Sequence, residues 1–405
     1  MLSKLLDKLF KDTPDNDAFA ERFIAAARRD GITGPMHYEA DLFRISLAEG
    51  AYFNLHNAHH AYLGAARGKQ QQALAMFIRS LRPALGSEEP AWDDLRPLLR
   101  PIIRSISQLE QLRLHEVAAK GWDFPSALQY RRLTGECVEL LAVDHPEHTL
   151  TKQDGPPPEW GVSLEEALDI GRRNLRSIDA VDFVQLAPGL YRAAWEDAYD
   201  SSRALLPELV NRIPVKGRPV FMLATRDLML VAGEHDLDAQ SAMFDVATEG
   251  VQGGRVISWE LLCHDEDGRI QTHEPADEGL RARQNVLRLS FLQEAYQVQK
   301  QLLERIYQAH SEDVFAAKFM VLERDGETFS TCSWAKDVLA SIPRADTLAL
   351  LVPGDAEPRM VFVPWDKAMP VVGHLLEADV RHLHPPRYFT RGFPSEEQLA
   401  QLMPT

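Results

Sequence analysis

The chain of 405 residues is 45% apolar, which is enough for two or three hydrophobic cores. Its 44 basic and 60 acidic side chains give a formal charge of −16, which disfavours contact with nucleic acid phosphates and anionic lipids. No stretch reaches the roughly 18 apolar residues that span a membrane, and the three widely separated cysteines form neither a disulfide framework nor a metal-binding pair.

The first part of the chain predicts helices around a small β-sheet. Residues 2–11 carry leucines at helical spacing, which predicts an amphipathic helix that docks on the protein itself or on a partner, with a membrane-surface anchor as the alternative. Residues 16–30 predict a second helix. The apolar alternation within 36–54 predicts a β-hairpin, and Asn54 is expected to cap the helix that follows.

The middle of the chain, from 95 to 260, predicts a mixture of strands and helices. Residues 137–144 form an apolar run that is typical of a buried strand. Residues 197–213 predict a helix that is capped near its start. Residues 218–233 predict two apolar strands joined by a tight turn at 226–227.

The last part repeats a theme that is already present upstream. A hairpin is expected before one long helix over 278–309. The order strand–turn–strand–helix occurs three times, at about 40–66, 218–249 and 346–378. Such units predict an α+β fold, with antiparallel or mixed sheets and helices packed on one face.

A chain of this length exceeds the roughly 250–300 residues that one core serves. We therefore predict three domains. They are an N-terminal domain of helices and a hairpin (1–94), a central α+β domain (95–260) and a C-terminal domain (261–405) that contains a hairpin, the long helix and a further α+β unit.

Four segments in the middle of the chain together resemble a known family. They are "LRPLLRPIIR" (95–104), "WGVSLEEALDIGRRNLR" (160–176), "APGLYRAAWEDAYDSSRALLPEL" (187–209) and "GRPVFMLATRDLMLVAG" (217–233). In this order and spacing they resemble the bacterial family called domain of unknown function 1444, over about residues 95–250. The resemblance implies an α+β protein of the bacterial cytosol. Because the family has no established activity, the resemblance implies no particular function.

The segment "NLHNAHHAYL" (54–63) contains the candidates for a metal site. On a helix, His56 and His60 face the same way, as two zinc ligands would. Zinc needs a third or fourth ligand, and no glutamate follows His56 as in the HExxH pattern. The alternative is a polar helix face toward solvent, so we predict no metal. His382 and His384, as an i, i+2 pair on a strand, could ligate a metal, and a surface strand explains them equally.

The sequence patterns of nucleotide binding and of nucleophilic catalysis are absent. There is no phosphate-binding loop, no G-x-G-x-x-G that opens a helix and no G-x-S-x-G elbow. Cys332 has no neighbouring histidine, so we expect a packed thiol rather than a nucleophile. A hairpin or bulge explains the glycine pair in "VQGGRV" (251–256). We predict no cofactor.

Arginine and aspartate side chains recur near the ends of the central strands. The candidates for a ligand-binding site are Arg104, Asp200, Arg203, Arg226 and Asp227. In a structural interpretation, the aspartates cap a helix and support a turn, and the arginines pair with them. In a functional interpretation, the arginine forks line a polar pocket and bind a carboxylate or phosphate.

These observations favour a cytoplasmic bacterial accessory protein that acts by binding. The reasons are the absence of catalytic patterns and the number of amphipathic helices that suit contact with a protein partner or with a second copy of the chain. The alternative is a hydrolase-like enzyme that uses the Arg/Asp pocket or a histidine-bound metal. A small anionic ligand fits the arginines, and we expect no nucleic acid.

Overall fold

The computed structural model describes most of the chain. The described residues are 15–40, 43–47, 52–66, 68–79, 81, 91–145, 148–178, 183–195, 199–251, 255–324, 326–353 and 359–402. The backbone alone is described for Tyr52, Asn54, His56, Asn57, His60, Arg79 and His148. The helix predicted at 2–11 lies outside these ranges. Within them, no helix combines the length and the apolar character needed to cross a membrane.

The protein has an α+β fold, as predicted. The helices of the described ranges are α1 (Asn16–Arg29), α2 (His56–Gly64), α3 (Gln70–Arg79), α4 (Trp92–Leu95), α5 (Ile106–Lys120), α6 (Leu164–Arg176), α7 (Pro207–Val210), α8 (Leu237–Gly250), α9 (Glu278–Ala309), α10 (Trp365–Val372) and α11 (Glu396–Leu402). Short 3₁₀ helices connect several of these helices to strands.

The strands form sheets that are mostly antiparallel or mixed. They are β1 (His37–Glu39), β2 (Arg44–Ser46), β3 (Tyr52–Asn54), β4 (Leu99–Ser105), β5 (Arg131–Arg132), β6 (Cys137–His145), β7 (His148–Lys152), β8 (Val184–Ala187), β9 (Leu190–Arg192), β10 (Pro219–Thr225), β11 (Leu228–Gly233), β12 (Leu261–His264), β13 (Ile270–Thr272), β14 (Phe315–Ala316), β15 (Met320–Arg324), β16 (Glu327–Ala335), β17 (Ala340–Pro343), β18 (Thr347–Val352), β19 (Arg359–Pro364), β20 (Leu376–Ala378) and β21 (Arg387–Thr390).

The chain divides into two compact units. The first is drawn from Met1–Leu98 and Val143–Thr151, and the second from Leu99–Ala142 and Lys152–Thr405. The three predicted domains stay a prediction. Within the second unit, β12 of the predicted C-terminal domain pairs with β10 of the predicted central domain.

The first unit has a three-stranded antiparallel sheet, β1-β2-β3, and the helices α1 to α3. Helix α1 buries Phe19 and Phe23, which lie one turn apart on the same face. These rings pack with Ile45 of β2 and Leu55 in a single core. The ring of His59 lies 4.5 Å from that of Phe19, so this histidine packs against the core.

The largest sheet of the second unit has the strand order β13-β12-β10-β11-β9-β8. Strand β10 alternates, so Val220 and Met222 enter the core formed with α8 and α9. Phe221 and Leu223 enter a second core on the other face, together with Ile103 of β4. Both faces of β10 are therefore covered by hydrophobic cores, which explains why nearly all of its residues are apolar.

The C-terminal part of the second unit contains two further sheets, β15-β16-β18-β19 and β14-β17-β21-β20. The pairs β16–β18 and β14–β17 are parallel, which makes both sheets mixed. The long helix α9 packs beside them through Leu289 and Tyr296. Nearer its C-terminus, Leu303 and Ile306 pack with Leu114 of α5.

Several predicted elements are confirmed. Strand–turn–strand–helix units occur as β2–β3–α2, β10–β11–α8 and β18–β19–α10, each with an antiparallel strand pair. The long helix occupies Glu278–Ala309, as the spacing predicts. The apolar run at 137–144 lies in β6.

The hairpin predicted within 36–54 is present as the antiparallel pair β2–β3, and β1 adds a third short strand beside β2. Two local predictions are wrong. The helix that follows the hairpin has Leu55 rather than Asn54 at its N-cap. The predicted helix at 197–213 is a 3₁₀ helix (Ser201–Leu205) followed by the short α7. Pro207 causes the break, because it has no amide hydrogen to donate and excludes helical backbone angles at the residue before it.

Candidate anion-binding site

The site begins at the C-terminal end of β4. The apolar side chains of Ile102 and Ile103 are buried there, whereas Arg104 is only partly buried. Its Nη1 donates to the carbonyl of Ile103 at 2.7 Å, which folds the side chain back along the strand. The guanidinium is therefore held where β4 ends and α5 begins.

A second arginine comes from the tight turn between β10 and β11. Arg226 and Asp227 occupy this turn, as predicted. The backbone amide of Arg226 donates to the carbonyl of Arg255 at 3.1 Å. The hydroxyl of Ser201 donates to the carbonyl of Arg226 at 2.6 Å. The turn is thus fixed from two neighbouring segments.

A third arginine, Arg255, stands on the segment that runs beside β10. Ile257 and Ser258 donate to β10 carbonyls at 3.0 Å and align this segment with the strand. Arg255 has a φ of 62°, a left-handed conformation that is uncommon outside glycine. Its Nη2 contacts both oxygens of Asp227, at 2.9 and 2.8 Å.

Gln108 of α5 connects these segments. Its Oε1 accepts from Nη2 of Arg226 at 3.0 Å, and its Nε2 donates to the carbonyl of Val256 at 3.1 Å. The amide therefore fixes the Arg226 fork and the backbone next to Arg255 at the same time. We call Arg104, Arg226 and Arg255 the arginine cluster.

The charges in the arginine cluster are under-compensated. Burial lowers the pKa of Arg104 well below its usual range, and the positive charges of Arg226 and Arg255 lower it further. Burial, and then the charge of Arg255, lower the pKa of Arg226 to about 10. A guanidinium still keeps its proton at neutral pH. The lowered pKa values of Arg104 and Arg226 therefore mean that their positive charges are unfavourable in the folded protein. The negative charge of Asp227 offsets only part of this unfavourable free energy.

Two nitrogen atoms of the arginine cluster also have no hydrogen-bond partner. They are the buried Nε atoms of Arg226 and Arg255. A buried donor without a partner costs about 1–3 kcal/mol. An anion that accepts from these guanidinium groups would relieve both the repulsion and the missing hydrogen bonds.

The structure places three of the five predicted site residues, Arg104, Arg226 and Asp227, within electrostatic reach of one another. Asp200 and Arg203 lie on the 3₁₀ segment that supports the turn through Ser201. Asp200 accepts from the amide of Trp195 at 3.1 Å, and the buried guanidinium of Arg203 lies 4.4 Å from the ring centroid of Trp195. These contacts hold their own segment together, so the geometry gives them a supporting place beside the arginine cluster.

Arg255 and Gln108 were missed in the sequence. The signal for Arg255 is the glycine pair before it, which predicts a hairpin or bulge but no binding residue. The sequence could not pair it with the turn at 226–227, because that contact depends on how the 255–258 segment aligns with β10. Gln108 stands near the start of α5, where its type and spacing carry no special pattern.

The histidine candidates for a metal site are tested only in part. His56 and His60 lie on α2, but their side chains are outside the described part of the structure. Among the described residues, no group of three or more His, Cys, Asp or Glu side chains could hold a metal ion. The interpretation of His382 as a surface residue is wrong, because its side chain is fully buried between two carboxylates.

Comparisons with protein families, curated proteins and solved structures found no match to this chain. The resemblance to domain of unknown function 1444 therefore stays a prediction.

Proposed function

We propose that the protein is a non-catalytic binding protein that takes a small anionic ligand at the arginine cluster. The observation that carries this proposal is that Arg226 and Arg255 act on Arg104 as unfavourable charges, while the carboxylate that offsets them, Asp227, is paired with Arg255. Clustered positive charges are unexpected in a chain with a formal charge of −16. Binding of an anion is the simplest chemical explanation for the arginine cluster.

The charges of the site indicate what kind of anion it would take. Three guanidinium groups and one carboxylate leave a local charge of about +2. A dianion would neutralise it, and a pair of oxygens on one carbon or phosphorus atom would match an arginine fork. The ligand class is therefore a phosphate monoester or a dicarboxylate, which share the chemistry of two negative charges on several oxygens.

The test is a titration of the full chain with inorganic phosphate and with succinate, followed by calorimetry at low salt. We expect saturable binding that weakens as salt is added. Arg226→Gln should weaken it about tenfold to a hundredfold, since a hydrogen bond to a charged group is worth about 1.5–3 kcal/mol. The matched control is Arg269→Gln, which removes an arginine whose side chain is 77% exposed on a distant turn.

Three results would count against the proposal. The first is that the wild-type chain binds neither anion, and the second is that the control variant loses as much affinity as Arg226→Gln. The third result concerns the alternative, a hydrolase-like enzyme that uses the Arg/Asp pocket. Turnover of p-nitrophenyl phosphate that disappears in Asp227→Asn would replace binding by catalysis as the function.

The wider setting is part of the same proposal. We propose that the chain belongs to the bacterial family it resembles and works in the cytoplasm, which its three buried, free cysteines suit. A protein partner or a second copy of the chain would be its macromolecular contact. Nucleic acid is not expected, because the charge of −16 opposes it.

A further inference from the structure

A second group of unpaired donors lies deep in the second unit, apart from the arginine cluster in the fold. It lies between the C-terminal half of α9, strand β17 and the start of β21. The three residues concerned are Tyr307, Ser341 and Arg387. Their exposed fractions are 3%, 0% and 1%, so solvent does not reach them in the folded protein.

Arg387 is held by neutral acceptors on one side only. Its Nε donates to Oε1 of Gln299 at 2.6 Å. Its Nη1 donates to the carbonyls of Ala317 and Ser341, at 3.1 and 2.8 Å. The ring of Tyr296 lies 5.4 Å from the guanidinium carbon. The remaining nitrogen, Nη2, carries two hydrogens and has no partner.

Two hydroxyl groups share this situation. Tyr307 Oη and Ser341 Oγ are buried and make no hydrogen bond of normal geometry. Burial raises the pKa of Tyr307, whereas a side-chain hydrogen-bond contact with Ser341 and the positive charge of Arg387 lower it, so the two hydroxyls lie next to each other. Nη1 of Arg387 donates to the carbonyl of Ser341, which places the guanidinium beside this residue, and Tyr307 lies within electrostatic reach of Ser341 and Arg387.

The positive charge of Arg387 is not balanced by a carboxylate of its own. The carboxylate that acts on it electrostatically is that of Asp379. Asp379 is bound by Arg381 through two contacts of 2.9 Å and lies 3.3 Å from His382. A buried and unbalanced guanidinium is costly, and burial accordingly lowers the pKa of Arg387.

We propose that Arg387, Tyr307 and Ser341 form a buried binding site for a monatomic anion of the chloride class. The site offers a guanidinium nitrogen and two hydroxyl groups, all able to donate, to a single acceptor that carries one negative charge. Burial sets the size limit, since a larger anion could not enter without opening the core. The site does not depend on the function proposed for the arginine cluster.

The experiment measures thermal unfolding of the full chain as sodium chloride replaces sodium gluconate at constant ionic strength. We expect a saturable rise of Tm with chloride, because a ligand that binds only the folded state stabilises it. Bromide should act in the same way and give an anomalous peak beside Arg387 in crystals. In Tyr307→Phe/Ser341→Ala, the chloride concentration at half effect should rise about tenfold or more.

This double variant also gives a test that a simple loss of stability cannot imitate. In gluconate it should be at least as stable as the wild type, because neither hydroxyl has a hydrogen bond of normal geometry and the variant removes both members of their mutual contact together. In chloride it should be the less stable protein. The matched control Tyr191→Phe changes a tyrosine of β9 whose hydroxyl faces the carbonyl of Pro214, and it should keep the wild-type chloride response.

Two outcomes would overturn the proposal. If the wild-type Tm does not depend on halide, an ordered water satisfies the three donors instead. If the chloride response persists in the double variant but disappears in Arg226→Gln, the halide binds at the arginine cluster. The second result would leave the function proposed for that cluster intact.

Discussion

Glu260 is a carboxyl group buried among uncharged donors. Its Oε2 accepts from the hydroxyls of Ser258, at 3.1 Å, and of Thr134. Burial raises its pKa, and the negative charge of Glu136 raises it further, although the two hydroxyls act in the opposite direction. The side chain therefore holds its proton more tightly in the folded than in the unfolded protein.

The raised pKa of Glu260 gives a pH-dependent prediction. The stability contributed by this group is present below its unfolded pKa of about 4.3 and is lost as pH rises through the folded value. Glu260→Gln keeps the uncharged form at every pH. We expect the free energy of unfolding of Glu260→Gln, measured in urea, to increase relative to that of the wild type as the pH rises from 4.5 to 8.

The control for this prediction is Glu266→Gln, which changes an exposed carboxyl in the turn between β12 and β13. Its difference from wild type should stay flat over the same pH range. A Glu260→Gln variant whose relative stability falls with pH would show that the buried carboxyl is stabilised as an anion. The sign of the slope decides between the two cases.

The residue scale is also where prediction from sequence was weakest. The turn of Arg226 and Asp227 could be placed, because two apolar runs flank it. Arg255 could not, because its contact with Asp227 arises from strand alignment across 28 residues. His382 could not be predicted as buried either, since its partner Glu110 is 272 residues away in sequence.

At the scale of elements, the contact between α6 and β4 depends on one glycine. A Cβ atom at Gly171 would lie 3.1 Å from the carbonyl carbon of Arg100 and from the nitrogen of Pro101. Both are backbone atoms of the strand that carries Arg104, so neither can rotate away. The absence of a side chain at this position lets α6 lie directly on the strand.

We expect Gly171→Ala to destabilise the protein by about 1 kcal/mol. Overpacking lowers the free energy of unfolding by about 1–3 kcal/mol. The better helix propensity of alanine offsets about 1 kcal/mol of this loss. Urea unfolding gives the difference. The matched control is Gly64→Ala in α2, where a Cβ would meet nothing within 4 Å and the same exchange should be neutral or stabilising. Equal effects at both positions would contradict close packing at Gly171.

Elements with strong periodicity could be predicted from sequence. The 32 residues of α9 and the three strand–turn–strand–helix units follow from apolar spacing alone. The helix expected at 197–213 is not continuous because Pro207 interrupts its periodic pattern. The hairpin near the N-terminus could be predicted, but the separate strand β1 could not, because such short strands give almost no alternation.

At the scale of the whole second unit, a buried ionic network joins α5 to the segment before β21. His382 Nδ1 lies 2.7 Å from Glu110, and its Nε2 lies 3.3 Å from Asp379. Burial alone would raise the pKa of both carboxyls. The contacts with His382, together with Arg113 at Glu110 and Arg381 at Asp379, instead hold both pKa values below their usual range.

Carboxyls with a lowered folded pKa stabilise the protein above their unfolded values, and this contribution is lost as pH falls through the folded values. We therefore expect the wild type to lose stability below about pH 4. His382→Leu leaves two buried carboxylates without the group between them, so it should cost about 3 kcal/mol at pH 7. Part of this loss should return at pH 5, where the carboxyls can take up protons.

The control is His235→Leu, because the His235 side chain is 73% exposed beside Glu234. Urea unfolding of both variants at pH 5 and pH 7 separates the cases. A loss in His382→Leu that is the same at both pH values would mean that the ring contributes by packing alone.

The long helix α9 has a consequence for how the second unit loses its structure. Leu287 packs with the six-stranded sheet, Tyr296 with the C-terminal sheets and Ile306 with α5. This one helix therefore contributes side chains to three hydrophobic cores. At 1.5 Å per residue it is about 48 Å long. If this helix frayed or detached, all three cores would open to water together. The cores are therefore coupled into one cooperative folding unit, in which none can melt and leave the others intact.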